Sequence, residues 1–272
     1  MRRHTRFWGV DFSGAKDAPK KIWMACGEAH TGRLHIIDCQ SARQRFQETT
    51  LQACLPKLRD FLAEQVGAVI GIDFPFGLPK HLVVASSWQD FLERFAARYK
   101  DAVSFKETCF QLAGRVELKR CTDRESATPF SPYNRRIYKQ TYFGIRELLV
   151  PLALKKKVCV LPFQNRSRTR PVVVEICPAS YLKARGFYDI PYKGASIQQR
   201  DGRWQILRSL LESGHFSVTE EVGSCVIEEQ NGDALDSVIA ALAAFHAHRR
   251  SFKISSKSQC RADAAVEGYV YH

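Results

Sequence analysis

The chain has 272 residues, 45% of them hydrophobic, which is enough to bury a core in one large domain or a core with an elaboration and excludes a disordered polypeptide. No apolar segment approaches the ~20 residues that span a bilayer, and the run after the basic start Met1-Arg-Arg-His-Thr-Arg stops at Asp11, too soon for a signal peptide. Formal net charge is +13, and 19 Lys and Arg against 8 Asp and Glu between Lys80 and Arg170 place +11 of the excess in one stretch.

Such a local positive field beside acidic residues suits a polyanionic ligand, with basic groups holding phosphates and acids holding a cation. Nine cysteines are scattered without a C-x-x-C pair. Reduced thiols and a cytoplasmic setting are therefore expected rather than a disulfide framework or a zinc site.

In chain order, Phe7–Asp11, Lys21–Cys26 and Leu34–Asp38 read as three short strands, with Ala29-His-Thr-Gly32 turning a hairpin between the second and third. Leu51, Cys54, Leu55, Leu58, Phe61 and Leu62 then recur at helical spacing, and Pro56 either kinks that helix or starts a fresh first turn. Val69–Asp73 is the next strand. A helix between the hairpin and this strand predicts a right-handed crossover that lays the Asp73 strand parallel to the first one.

Residues 80–170 read as a basic, mainly helical insertion that divides the core into 1–79 and 171–272. Ser87-Trp-Gln-Asp90 resembles a capping box, and Tyr133, Arg135, Arg136, Tyr138, Lys139 and Tyr142 interleave aromatic and basic groups. Those aromatics serve either as a base-stacking groove or as core. After Val172–Glu175, a strand, come a helix stopped by Gly186, a helix around Trp204 and Leu207 stopped by Gly214, and a strand near Cys225–Ile227. The closing helix runs through Asn231–Phe245 with Leu235, Val238, Ile239 and Leu242 as its buried stripe.

Three acids end β-like runs: Asp11 in FWGVDFSG, Asp73 in VIGIDFPFG and Glu175 in VVVEICP. Acids delivered to strand ends of an open sheet gather at one edge, and buried acids need a partner, a proton or a metal. On the closing helix, ~100° per residue sets Asp236 beside the apolar stripe and turns Asp233 nearly away, as a first-turn acid favouring the helix dipole.

The phrases GVDFSGAK, GIDFPFGLP, VEICPAS, GDALDSVIAALAAF and the terminal EGYVY, in this order, resemble the domain of unknown function 429 family of predicted nucleases, with a looser match around Arg120-Cys-Thr-Asp123. The resemblance implies a ribonuclease H-like fold, an α/β mixed sheet flanked by helices. Hard carboxylate oxygens suit Mg2+ or Mn2+. Asp11 would bridge the ions, with Asp73, Glu175 and Asp236 completing the set and Asp233 the alternative on the helix. Lys16, Arg120, Arg135, Arg136 and Lys139 are the candidate phosphate contacts, and Glu267 is either a supporting acid or part of a docked tail strand.

The expected activity is metal-dependent hydrolysis of nucleic-acid phosphodiesters. Two other readings are a nucleotide-dependent phosphotransferase of the actin and sugar-kinase type and a non-catalytic nucleic-acid-binding protein. The first needs two similar core domains, and the second predicts acids that do not converge.

Overall fold

A computed structural model describes residues 6–272, so the basic residues 1–5 discussed above lie outside it. Its strands are β1 (Arg6–Asp11), β2 (Trp23–His30), β3 (Arg33–Ser41), β4 (Val69–Asp73), β5 (Cys159–Leu161), β6 (Val172–Ile176), β7 (Phe216–Val218) and β8 (Val270–Tyr271). They form one sheet in the order β5-β6-β4-β1-β2-β3-β7, with β8 alongside β6. The β1–β2 and β2–β3 pairs are antiparallel and the other five pairs are parallel.

The hairpin between β2 and β3 turns at Thr31 and Gly32, both at positive φ (50° and 82°), as a tight two-residue turn requires. The helix α1 (Leu51–Glu64) then carries the chain across the sheet, uninterrupted at Pro56, and β4 returns parallel to β1. The expected crossover is present.

Alternation along the strands divides the core in two. Trp8, Val10, Ile70, Ile72 and Val173 face α1 and the helices that follow β4. Phe7, Val69, Val172, Val174 and Ile176 face the opposite layer.

Residues 80–170 are mainly helical, with α2 (Trp88–Arg98), α3 (Ala102–Leu112) and an unbroken run of α- and π-helical turns from Tyr138 to Leu154, but they return to the sheet as β5, which pairs with β6. Ser87 caps α2 by accepting from the Asp90 amide at 3.1 Å, while Asp90 reaches back to the Ser86 amide at 2.9 Å. Tyr133 and Tyr142 are buried at 1% and 2% exposure, so they are core aromatics and not stacking platforms for bases.

Beyond β6 come α4 (Pro178–Lys183), α5 (Ile197–Glu212), α6 (Glu220–Glu228) and α7 (Asp233–Arg249). The strand expected near Cys225–Ile227 is instead helix α6. Thr219 caps it by accepting from the Val222 amide, and Glu220 and Glu221 in its first turn favour the helix dipole. The strand lies earlier, at β7.

The cysteine expectation also needs correction. Cys121 and Cys260, 139 residues apart in sequence, are joined as a disulfide with Cα atoms 5.3 Å apart. Spacing along the chain could not reveal this pair, because the fold alone brings the short Cys121–Glu125 helix against the 255–263 loop. The other seven cysteines are free thiols, as expected, so the pair is a single bridge and not part of a disulfide framework. Among the described residues, no helix is long and apolar enough to cross a membrane.

Candidate functional site: an acidic cleft at the strand ends

Two glycines set the position of the site. Gly9 on β1 and Gly71 on β4 are register partners, and α7 crosses directly over them. A Cβ on Gly9 would lie 2.0 Å from the Ser237 carbonyl oxygen, and one on Gly71 would lie 2.7 Å from that of Ala240. No side chain fits between helix and sheet there. Two residues further along each strand, on the same face, stand Asp11 and Asp73, again register partners. Asp236 immediately precedes Ser237 and Asp233 lies one turn earlier, so close helix–sheet contact delivers four acids to one place.

Asp11, Asp73, Asp233 and Asp236 all line a cleft of about 590 Å³ at the carboxyl ends of β1, β4 and β6. Asp11 and Asp236 are buried, at 8% and 3% exposure. Burial, then repulsion from Asp236 and Asp233, holds the Asp11 carboxyl well above the usual carboxylate range. Burial and repulsion from Asp236 push Asp73 up to about 8. Asp233, raised to about 7 by burial and by Glu229, is half-buried in the cleft wall. The helix-phase expectation that it turns away from the site is therefore wrong: at the first turn of α7 both acids look into the same cleft.

These shifts predict how stability responds to pH. A carboxyl with a folded-state pKa above its unfolded value of 3.8 keeps its proton longer when folded, so stability falls as pH rises toward the folded value. His246 acts oppositely, because burial and nearby arginines hold it near 4, but that contribution is complete above its ordinary 6.5. Melting in EDTA should thus show stability declining between about pH 6.5 and 8, by roughly 2 kcal/mol. Asp73→Asn should flatten the decline, and a rise over that window would contradict the arrangement.

The structure sets Glu175 apart from the four aspartates. It pairs in register with Ile72, not Asp73, and so projects from the opposite face of the sheet. There it meets Arg120, which is 1% exposed. The Arg120 Nη1 donates to Glu175 Oε2 at 2.8 Å and to the Glu267 carbonyl at 3.0 Å, and Nη2 donates to Glu175 Oε1 and to Asp123 Oδ1 at 2.7 Å. Nε donates to Asp123 Oδ2 at 3.0 Å, so all five guanidinium N–H groups are used.

The Phe76 amide takes up Glu175 Oε2 as well, at 2.9 Å. Glu175 and Arg120 border the cleft, but their polar atoms are spent on each other. Glu267, also buried, accepts from the Lys80 and Cys121 amides at 2.7 and 2.6 Å, and the tail strand β8 docks on β6.

The basic candidates sit at the margin. Lys16 is exposed and does not line the cleft. Arg135, Arg136 and Lys139 are exposed on a segment whose Ile137 and Gln140 do line it. That segment is held close by the Gln140 side chain, which donates to the Asp73 carbonyl, and by Gly14, whose Cβ would lie 2.5 Å from the Lys139 backbone. Arg136 lies over the Phe130 ring at 5.3 Å, at the cleft wall.

The model of the family described as protein of unknown function (DUF429) matches residues 9–254. The chain belongs to the DUF429 family. No curated protein and no solved structure matches it. In this DUF429 protein the matched span contains all four aspartates, Arg120 and Glu175.

Sequence reasoning missed the two polar groups that meet Asp236 in this DUF429 cleft. In the loop between α4 and α5, the Tyr192 hydroxyl donates to Asp236 Oδ1 at 2.9 Å and the Lys193 Nζ lies 2.6 Å from Asp236 Oδ2. The only sequence signal was a Pro191-Tyr-Lys-Gly194 punctuation between two helices, which reads as an ordinary turn.

The donor set bears on a cation directly. Four hard carboxylate donors, two buried and two half-buried, suit a divalent ion of the Mg2+ or Mn2+ type better than a soft metal. Among the described residues, no group of three or more His, Cys, Asp or Glu side chains is already arranged to hold a metal ion.

Proposed function

We propose that this protein is a divalent-metal-dependent hydrolase of nucleic-acid phosphodiesters on a ribonuclease H-like core. The observation that carries the reading is the convergence of Asp11, Asp73, Asp233 and Asp236 on one cleft beside a basic margin. A three-stranded meander continued by parallel β4 and β6, with α7 laid across, supports the core assignment. Convergent acids favour catalysis over mere binding. One sheet among the described residues, rather than two similar ones, disfavours the sugar-kinase reading.

In this reading Asp11, between Asp73 on the neighbouring strand and the α7 acids, would hold the metal together with Asp73, Asp233 and Asp236, and Glu175 holds the wall. When bound, a pair of such ions supplies the positive charge that eases deprotonation of an attacking water and stabilises the leaving oxygen. The chain's own part is to fix four acids before substrate arrives and to exclude water behind them with Phe12 and Phe74. Arg135, Arg136 and Lys139 would steer and hold the phosphates leading into the cleft.

The test is a titration of Mg2+ and Mn2+ against labelled single strands, duplexes and junctions of DNA and RNA. The expected result is cleavage that requires the metal and stops in EDTA. No cleavage of any of them under any metal, together with nucleotide-dependent phosphoryl transfer, would replace this reading with the phosphotransferase one.

A further inference from the structure

The Tyr192–Lys193 loop is held over the acids by a support of its own. Arg203, 1% exposed, donates through Nη1 to the Tyr192 and Gly194 carbonyls at 2.7 and 2.9 Å, and through Nε to the Ile227 carbonyl at 2.8 Å. The Gly194 amide donates to the Gln230 carbonyl at 2.6 Å, tying the loop to the residues just before α7. From beneath, a Cβ on Gly202 would lie 2.1 Å from the Pro191 carbonyl oxygen, so α5 also packs directly against it.

A buried arginine spent on four backbone carbonyls, that of Gln230 at 3.4 Å being the fourth, is a costly way to shape a surface loop. What the loop delivers is one hydroxyl and one ammonium to the two oxygens of Asp236. The Lys193 side chain is 53% exposed while that of Asp236 is 4% exposed. The cation can therefore swing into solvent without disturbing the acid it covers.

We infer that Lys193 is a tethered counter-cation: it neutralises Asp236 in the metal-free protein, releases it as the acids take up a divalent ion, and then binds a phosphate oxygen of the substrate. Tyr192, fixed through the same backbone, keeps Asp236 Oδ1 oriented throughout. This inference rests on the cation reading of the four acids. It also gives that reading a positive side chain held against the acids and able to meet phosphate: Arg120 is spent on carboxylates and the Glu267 carbonyl, and Lys21, which also lines the cleft, is paired with Asp17 at 3.1 Å.

The experiment compares wild type, Lys193→Met, Lys193→Gln and Asp11→Asn by Mn2+ binding in electron paramagnetic resonance, and by thermal melting in EDTA and in Mn2+. Removing the resident charge should tighten Mn2+ binding about ten-fold. It should lower the melting temperature in EDTA and enlarge the Mn2+-induced increase, while cleavage weakens. Tighter metal binding with poorer turnover is the signature, because a residue that merely supported the fold would lose both.

Unchanged or weaker Mn2+ binding in both Lys193 variants, with wild type binding and Asp11→Asn not, would overturn the counter-cation and leave the metal site standing. Absence of Mn2+ binding by wild type would overturn both.

Discussion

Asp11→Asn should lower metal-dependent cleavage roughly a thousand-fold, about 4 kcal/mol on the barrier, while leaving the protein folded and no less stable. Both halves come from the same geometry. Asp11 sits between Asp73 and the two acids of α7, so its loss deprives any ion in the cluster of a ligand that no neighbour on β1 can replace. Yet its charge is buried among like charges, and an amide of equal shape removes that repulsion. Activity measured at saturating Mn2+ beside melting in EDTA separates the two effects. A variant that is both inactive and markedly less stable would mean Asp11 is a structural turn residue, and one with full activity would remove the carboxylate site altogether.

Arg120→Met should be the most destabilising single change in this region, by about 3–5 kcal/mol, because it leaves Glu175 and Asp123 buried without a counter-charge. Arg120→Lys should recover little of this, since an ammonium has three donors on one atom and cannot span two carboxylates and the Glu267 carbonyl as the planar guanidinium does. The check is denaturant unfolding of both variants. Glu175→Gln belongs in the same series and distinguishes support from chemistry: its loss should register first in stability and only through the cleft wall in turnover. Loss of turnover with wild-type stability would return Glu175 to the metal ligands.

The strand-end acids Asp11 and Asp73 were legible because hydrophobic runs of five residues closed by aspartate and a turn leave little freedom in placing them. The parallel pairing of their strands followed from one helix between them. Glu175 ends an equally clear strand, but its face depends on register, and a shift by a single residue moves a side chain from one side of the sheet to the other. Nothing in VVVEI, apolar on both faces, specifies that choice.

Asp233 was misjudged for a related reason: a helix wheel describes which way a residue points from the axis, whereas at a first turn the cleft wraps around the helix end. Cys121–Cys260 and the Tyr192–Lys193 loop were invisible because each depends on contacts between segments far apart in sequence, whereas α6 carried local signals, the Thr219 cap and the first-turn Glu220 and Glu221, that the short apolar run Cys225–Ile227 outweighed.

The glycine pair beneath α7 has a consequence for the cation proposed at this site. An acidic cluster carried on loops would spread apart when empty and contract on loading, and each loading event would include that ordering penalty. With helix backbone resting on strand backbone at Gly9 and Gly71, the aspartates have no such room, and their mutual repulsion is accepted once, when the chain folds. The acids therefore hold their places on the sheet before any ligand arrives, with Lys193 already balancing part of their charge.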